Sequence, residues 1–384
     1  MIAAATLTKR QLPSGWRWVK LGEVCEIEMG QSPPGTSYNE NGTGKPLLNG
    51  PTEFGDKHPL PVQWTTIPTK LAREGDILFC VRGATTGRKN VADRGYCIGR
   101  GIASIRSKEG RSFTEFIWFL LDVVTESLLE KASGSTFVNL PGSELEAFPV
   151  PLPPLPEQKR IAAVLKEQMA AVDKARAAAQ ARLEAVKALP AAFARETLRN
   201  GCGQSRPLGE CLVEIRSGVG AHWSKYPVLG ATRDGLALAK APVGKAPDRY
   251  KFVDPVTVFY NPMRILLGSI AMVDDVDATG ITSPDYVVVK GRPGILDTRW
   301  FYYWFRSTQG AHLIESLSRG AVRERILFNR LAAGSIEIPD YETQVTASER
   351  MKQTRPAVEA VTKELEAINA LPAALLRRAF NGEI

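Results

Sequence analysis

Histidine is scarce in this chain: His58, His222 and His312 are the only three among 384 residues. They lie far apart, so neither a HExxH zinc motif nor an obvious histidine acid–base set can be assembled. Cysteine is almost as sparse. Cys25, Cys80, Cys97, Cys202 and Cys211 are odd in number and include no CxxC pair, which argues against a structural zinc site and fits a reducing compartment. There is no GxxxxGK[ST] loop to cradle ATP and no GxSxG nucleophile elbow. No apolar run reaches the roughly 20 residues that span a bilayer. Met1–Thr8 is apolar and is followed by Lys9 and Arg10, the wrong order for a signal peptide. The expectation is a soluble, cytoplasmic chain with no membrane contact and with no metal, cofactor or catalytic residue of its own.

What is present is ordinary globular composition, 44% hydrophobic and 23% charged, in a length suited to two or three domains. The formal net charge of +8 admits an anionic partner. Its distribution says more. Between residues 82 and 111, eight basic side chains face only Asp93 and Glu109. Such a basic face suits backbone phosphates; an ordinary solvated surface accounts for it equally well.

The chain also repeats itself. Leu21-Gly22-Glu23 recurs as Leu208-Gly209-Glu210, and Gly30 as Gly218. The aromatic run Phe116–Phe119 answers Trp300–Phe305. Val150–Pro153 answers Ile336–Pro339, each with a glutamine five residues after its last proline, Gln158 and Gln344. Leu189-Pro190-Ala191-Ala192 recurs as Leu371-Pro372-Ala373-Ala374. A period of roughly 180–188 residues is far too long for a solenoid. It means two copies of one module, each a globular domain followed by a helical segment.

The first segment, from about Pro156 to Arg199, places Ile161, Leu165, Met169, Val172, Ala179, Leu183, Val186 and Phe193 on a heptad-like seam. The second, from about Glu342 to Phe380, does so with Val358, Val361, Leu365, Ile368 and Leu375. About 40 helical residues reach about 60 Å, and neither stripe can be buried alone. Antiparallel pairing of the two helices is the economical solution. Pro356 should split off a short leading helix, and Pro190 and Pro372 should bend or break the helices near their ends. Asn200-Gly201 and Asn381-Gly382 read as C-terminal caps. The fold expected is α+β: two similar domains, 1–152 and 204–339, joined by two long antiparallel helices forming a coiled coil, 153–203 and 340–384. One aromatic helix is expected in each domain, over 113–131 and 297–316.

The loops carry the chemistry. In the first domain a strand over 76–81 leads into Arg82, Gly83, Thr85, Thr86, Arg88 and Lys89. Glycine lets backbone approach a partner, and threonine, lysine and arginine suit phosphates and the guanine edge. A second loop holds Ser133, Ser135, Thr136 and Asn139. The corresponding candidates in the second domain are Asn261 and Arg264, then Arg319, Arg323 and Arg325. Each such turn is a weak signal by itself, since most are structural.

Three stretches carry a family resemblance. Leu12-Pro13-Ser14-Gly15-Trp16 with Val19–Val24, Gly30–Asn39, and the junction Pro151-Leu152-Pro153-Pro154-Leu155-Pro156-Glu157-Gln158 resemble the specificity subunits of type I restriction-modification systems. The resemblance covers nearly the whole chain. It implies two target-recognition domains, each reading half of a bipartite, asymmetric site in double-stranded DNA. It implies helices that set the spacing and dock two methyltransferase subunits, which use S-adenosylmethionine. Translocating restriction subunits, which use ATP and Mg, would complete the complex. The junction shortens to Ile338-Pro339-Asp340-Tyr341 in the second copy, where the resemblance is looser.

Two rival classes remain, a stand-alone enzyme, either methyltransferase or nuclease, and a scaffold. A stand-alone adenine methyltransferase would carry an Asp/Asn-Pro-Pro-aromatic tetrad; Asn261-Pro262-Met263-Arg264 has only its first half. A metal-dependent nuclease needs a second acid that Pro284-Asp285 with Val288-Val289-Lys290 lacks. A non-DNA-binding coiled-coil scaffold would explain the repeat and the helices, but not the basic stretch or the divergence of the loops.

Overall fold

The computed structural model describes residues 12–130, 138–200, 203–239, 243–318 and 325–384. They divide into a first unit, up to Ala177 together with Glu366–Ile384, and a second unit, Ala178–Leu365. In the first unit an antiparallel sheet runs in the order Cys25–Met29, Ile102–Ser107, Ile77–Cys80, Lys89–Val91. Every residue of Ile77–Cys80 is buried because both faces of the sheet are covered. Ile77 and Phe79 join Phe116, Ile117 and Leu120 of the helix Thr114–Glu130. Leu78 turns to a smaller core with Leu48, Tyr96 and Ile98. Coverage on both sides is why this strand reads as a continuous apolar run and not as an alternation. A five-stranded sheet, Tyr38–Asn39, Gln63–Thr65, Lys45–Leu48, Tyr96–Ile98 and Leu71–Ala72, completes the domain.

The second unit repeats the frame. Leu212–Glu214, Val287–Gly291, Thr257–Tyr260 and Ile270–Val273 follow the same order. Gln204–Pro207 pairs with Ser335–Ile338 just as Arg17–Lys20 pairs with Pro149–Leu152. The smaller sheet is what diverges. Two strand pairs, Leu229–Thr232 with Gly235–Leu238 and Lys251–Val253 with Gly280–Thr282, stand where the first unit has five strands. A Cβ on Gly30 would lie 2.1 Å from the Gly99 carbonyl oxygen, and one on Gly218 would lie 2.6 Å from that of Asp248. Both copies therefore need glycine at this point.

The single aromatic helix expected over 297–316 is two helices, Thr298–Phe305 and Thr308–Ser318. Ser307 makes the break. Its Oγ donates to the Trp304 carbonyl at 2.6 Å and accepts from Gly310 N at 3.5 Å, so it ends one helix and caps the next.

The paired glutamines have a shared role. Gln158 is fully buried. It accepts from Phe113 N at 2.9 Å and donates to the carbonyls of Pro153 and Arg111 at 3.0 and 3.2 Å. Gln344, also fully buried, accepts from Asp297 N at 2.9 Å and donates to the carbonyls of Pro339 and Ile295 at 2.9 and 3.1 Å. One side chain thus ties the entry of the following helix to the domain by satisfying three backbone groups.

The helix Leu155–Asn200 is continuous through Pro190, and Thr354–Phe380 through Pro372. Of the expected bend or break, the break does not occur. Each proline removes one backbone hydrogen bond, but the Leu and Ala around it are strong helix formers. Pro356 does fall at a boundary: Tyr341–Lys352 is a separate helix, and Pro356 lies in the first turn of the next, where an N–H has no intrahelical partner to lose. Within the first unit Arg160 reaches the Ile384 carbonyl, and Arg176 Nε donates to Asn369 Oδ1 at 2.8 Å. Partner numbers fall as helix numbers rise, so the segments run antiparallel. In the second unit Arg182 donates to both carboxylate oxygens of Glu364 at 2.6 Å. Ile161, Leu165 and Val172 of the seam are buried in the first unit, and Ala179, Leu183 and Val361 in the second. Gly382 has a φ of 75° and closes the last helix, with Glu383 N donating to the Arg378 carbonyl at 2.9 Å. Gly201 lies outside the described residues.

Candidate nucleic-acid interface

In the first unit the strand Ile77–Cys80 ends in a loop that is closed on itself. Cys80 N donates to the Arg88 carbonyl at 2.7 Å, Gly87 N to that of Cys80 at 2.9 Å, and Thr86 Oγ1 to that of Gly83 at 2.7 Å. Gly83 and Gly87 take φ values of 89° and 96°, open to glycine at little cost. Thr86 is therefore a turn-former. Arg82, Thr85 and Arg88 are left exposed.

The second loop meets the first. Gly83 N donates to the Val138 carbonyl and Leu140 N to that of Val81, both at 2.9 Å, and Arg82 Nε donates to Asn139 Oδ1 at 3.1 Å. Two segments far apart in sequence thus form one surface. Ser133, Ser135 and Thr136 lie outside the described residues.

Lys89 does not share that surface. Its Nζ pairs with Asp122 at 2.5 Å, donates to the Trp118 carbonyl at 2.6 Å and sits 4.2 Å from the centre of the Trp118 ring. Its side chain is only 9% exposed, because strand geometry aims it at the helix Thr114–Glu130. The grouping of Lys89 with the loop's exposed cations is corrected on this geometry. Burial pushes its pKa down from 10.5 to about 8, against the pull of Asp122. Between these values the unfolded chain binds the proton more tightly, so stability rises with pH through that window. Lys89→Met should remove this rise. Urea unfolding of both proteins at pH 8 and pH 10 measures it, and equal pH slopes would refute the assignment.

In the second unit Asn261 is a partly buried turn-former. Its N donates to the Ser269 carbonyl at 3.1 Å and its Oδ1 accepts from Met263 N at 3.0 Å, an Asx turn. Arg264 is exposed. Ile265–Leu267 forms a short 3-10 turn closed by Gly268 at a φ of 81°. Ile326 N donates to the Pro262 carbonyl at 3.0 Å, the counterpart of the Leu140–Val81 bond, so the meeting of two loops recurs. Arg325 is exposed; Arg319 and Arg323 lie outside the described residues. The sequence reading passed over Met263 and Leu267, which are 68% and 71% exposed. The available signal was an apolar residue in a loop bounded by proline and glycine. Among the described residues no group of three or more His, Cys, Asp or Glu is placed to hold a metal. No helix among them is long and apolar enough to cross a membrane.

Residues 13–184 match the family described as Type I restriction modification DNA specificity domain. Over this segment, a little under half of the chain, the sequence is similar to the type I restriction-modification specificity family. A relative, the type I restriction enzyme MjaX specificity subunit of Methanocaldococcus jannaschii, is 40% identical over 158 residues. That match spans 41% of this chain and 37% of the relative's length. The crystal structure of an HsdS subunit from Thermoanaerobacter tengcongensis matches 99% of this chain and 100% of its own, at 20% identity and a TM-score of 0.58. This is a likeness of fold. A chain from a solved type I R-M system is 41% identical and covers 46% of this chain and 45% of its own, with a TM-score of 0.41. The specificity family is thus matched by sequence in the first module, and the HsdS fold extends across both.

Proposed function

We propose that this chain is the DNA-reading subunit of a type I restriction-modification complex and performs no chemistry itself. One observation carries the reading: the same frame brings the same two loops together in each unit but equips them with different side chains. Two readers of unlike half-sites require such an arrangement. In this proposal residues 1–152 and 204–339 are the target-recognition domains for a bipartite, asymmetric duplex site. The helices within 153–203 and 340–384 set the spacing and dock two methyltransferase subunits, which bring S-adenosylmethionine. Restriction subunits supply ATP- and Mg-dependent cleavage. The name of the Methanocaldococcus relative supports the assignment to such an enzyme.

Arg82, Thr85, Arg88 and Asn139 are the proposed contacts of the first domain, with Arg264 and Arg325 in the second. Arg82 is held by Asn139 in the plane of its guanidinium, an orientation that suits two-point contact with a guanine. Arg82→Ala should weaken DNA binding by about 1–3 kcal/mol and relax one position of the first half-site only. Unchanged affinity and motif would remove Arg82 from the interface.

The decisive experiment is co-purification with the methyltransferase subunit, followed by methylation mapping of host DNA by single-molecule sequencing with and without this chain. A split, asymmetric methylated motif that vanishes without the chain supports the proposal. A complex with no chain-dependent motif favours a scaffold, and methylation or cleavage by the chain alone favours an enzyme.

A further inference from the structure

The two units present chemically opposite side chains at one place in the frame. The bonds from Leu140 N to the Val81 carbonyl and from Ile326 N to the Pro262 carbonyl make Val81 and Pro262 equivalent. The next residue is Arg82 in one unit and Met263 in the other. Arg82 is exposed and oriented by Asn139. Met263 is 68% exposed, and Leu267, on the same loop, 71%.

Neither apolar side chain is needed to build the loop. Ile265, at 2% exposure, anchors it to the core, Asn261 Oδ1 makes the turn, and Gly268 closes it. A single exposed apolar residue calls for no explanation. Three on one short loop, Met263, Leu267 and the less exposed Leu266, beside the exposed Arg264 and standing where the other copy has an oriented arginine, do call for one.

Resting on the function proposed above, we infer that Met263 is a specificity-determining contact of the second domain. With Leu267 beside it, Met263 reads a thymine methyl group in the major groove by apolar contact. The C5-methyl of thymine is the apolar group on the major-groove edge of a base pair, whereas guanine offers two acceptors suited to arginine. Arg264, next in sequence, supplies the cation for a neighbouring phosphate. The two half-sites are then told apart by kind of contact: hydrogen bonding in the first and a methyl group in the second.

The test uses the complex of this chain with its methyltransferase subunit and the mapped motif. Each thymine of the second half-site is replaced in turn by uracil, which lacks only the methyl. One replacement should weaken wild-type binding about four-fold, the worth of one buried methyl, and should cost the Met263→Ala complex nothing. Met263→Ala should also relax methylation at that one position and leave the first half-site unchanged; Leu267→Ala serves as the second variant. The inference is overturned if no thymine is methyl-sensitive, or if wild type and Met263→Ala respond alike. It is also overturned if Met263→Ala holds the methyltransferase subunit more weakly while the methylation that remains keeps the wild-type motif, since the loop is then a protein contact. If no motif depends on the chain at all, the proposed function itself fails, a result distinct from the others.

Discussion

Arg299→Ala lowers the stability of the second unit by about 3–5 kcal/mol, the usual cost of leaving a buried charge without its partner. Arg299 is 5% exposed, and its guanidinium bonds Asp274, itself 9% exposed, and Asp275 at 3.0 Å. The same acidic loop takes Lys352 on Asp275 and Arg355 on Asp277, both at 2.6 Å. It therefore joins the sheet, the helix Thr298–Phe305 and the two helices that meet at Gln353. Burial opposes the charge of Arg299, but Asp274 and Asp275 together outweigh it and raise the pKa. Lys352 holds the Asp275 carboxyl below 3.8, and Arg355 does the same for Asp277 against its burial. Carboxyls depressed in the folded state contribute stability that is present above their ordinary value and is lost as pH falls through the folded one. Acid should thus weaken the second unit below about pH 4, and Asp277→Asn should flatten that loss. Urea unfolding at pH 7 and pH 3.5 reads both effects. An Arg299→Ala protein within 1 kcal/mol of wild type would mean that the network does not hold these elements together.

Gln158→Leu should cost the first unit roughly 3 kcal/mol, and Gln344→Leu a similar amount in the second. Leucine fills most of the volume but strands one backbone donor and two carbonyls, and each buried group left unpaired costs about 1–3 kcal/mol. The two glutamines share no partner, so the double variant should equal the sum of the singles within about 0.5 kcal/mol. Denaturant titration measures all three. A loss confined to one of the two would show that the repeated bonding pattern is not a repeated energetic role.

The glutamines were legible in the sequence because their spacing after the last proline is a local property: it fixes where a helix can start and which turn faces the domain. The repeat, the heptad seams and the split of the second helix ahead of Pro356 were legible for the same reason. Ser307 was not. An aromatic run of helical period conceals a break when the residue that makes it is one serine whose hydroxyl caps both ways. At Pro190 and Pro372 the helices do not break, since local propensity predicts the lost hydrogen bond but not the cooperative helix that tolerates it.

In the candidate interface the division follows the range of the forces. That two copies of one domain exist, that long helices follow each, and that polar and basic loops end the central strands can be read from the residue order alone. These are matters of periodicity, turn chemistry and charge within a few residues. It takes the folded chain to bring Arg82 to Asn139, to withdraw Lys89 under Trp118 onto Asp122, and to set Met263 where the other copy has arginine. Those outcomes depend on which face of a strand packs against a distant helix and which loop closes on which. Contacts between residues tens of positions apart set them, and no local pattern encodes such contacts.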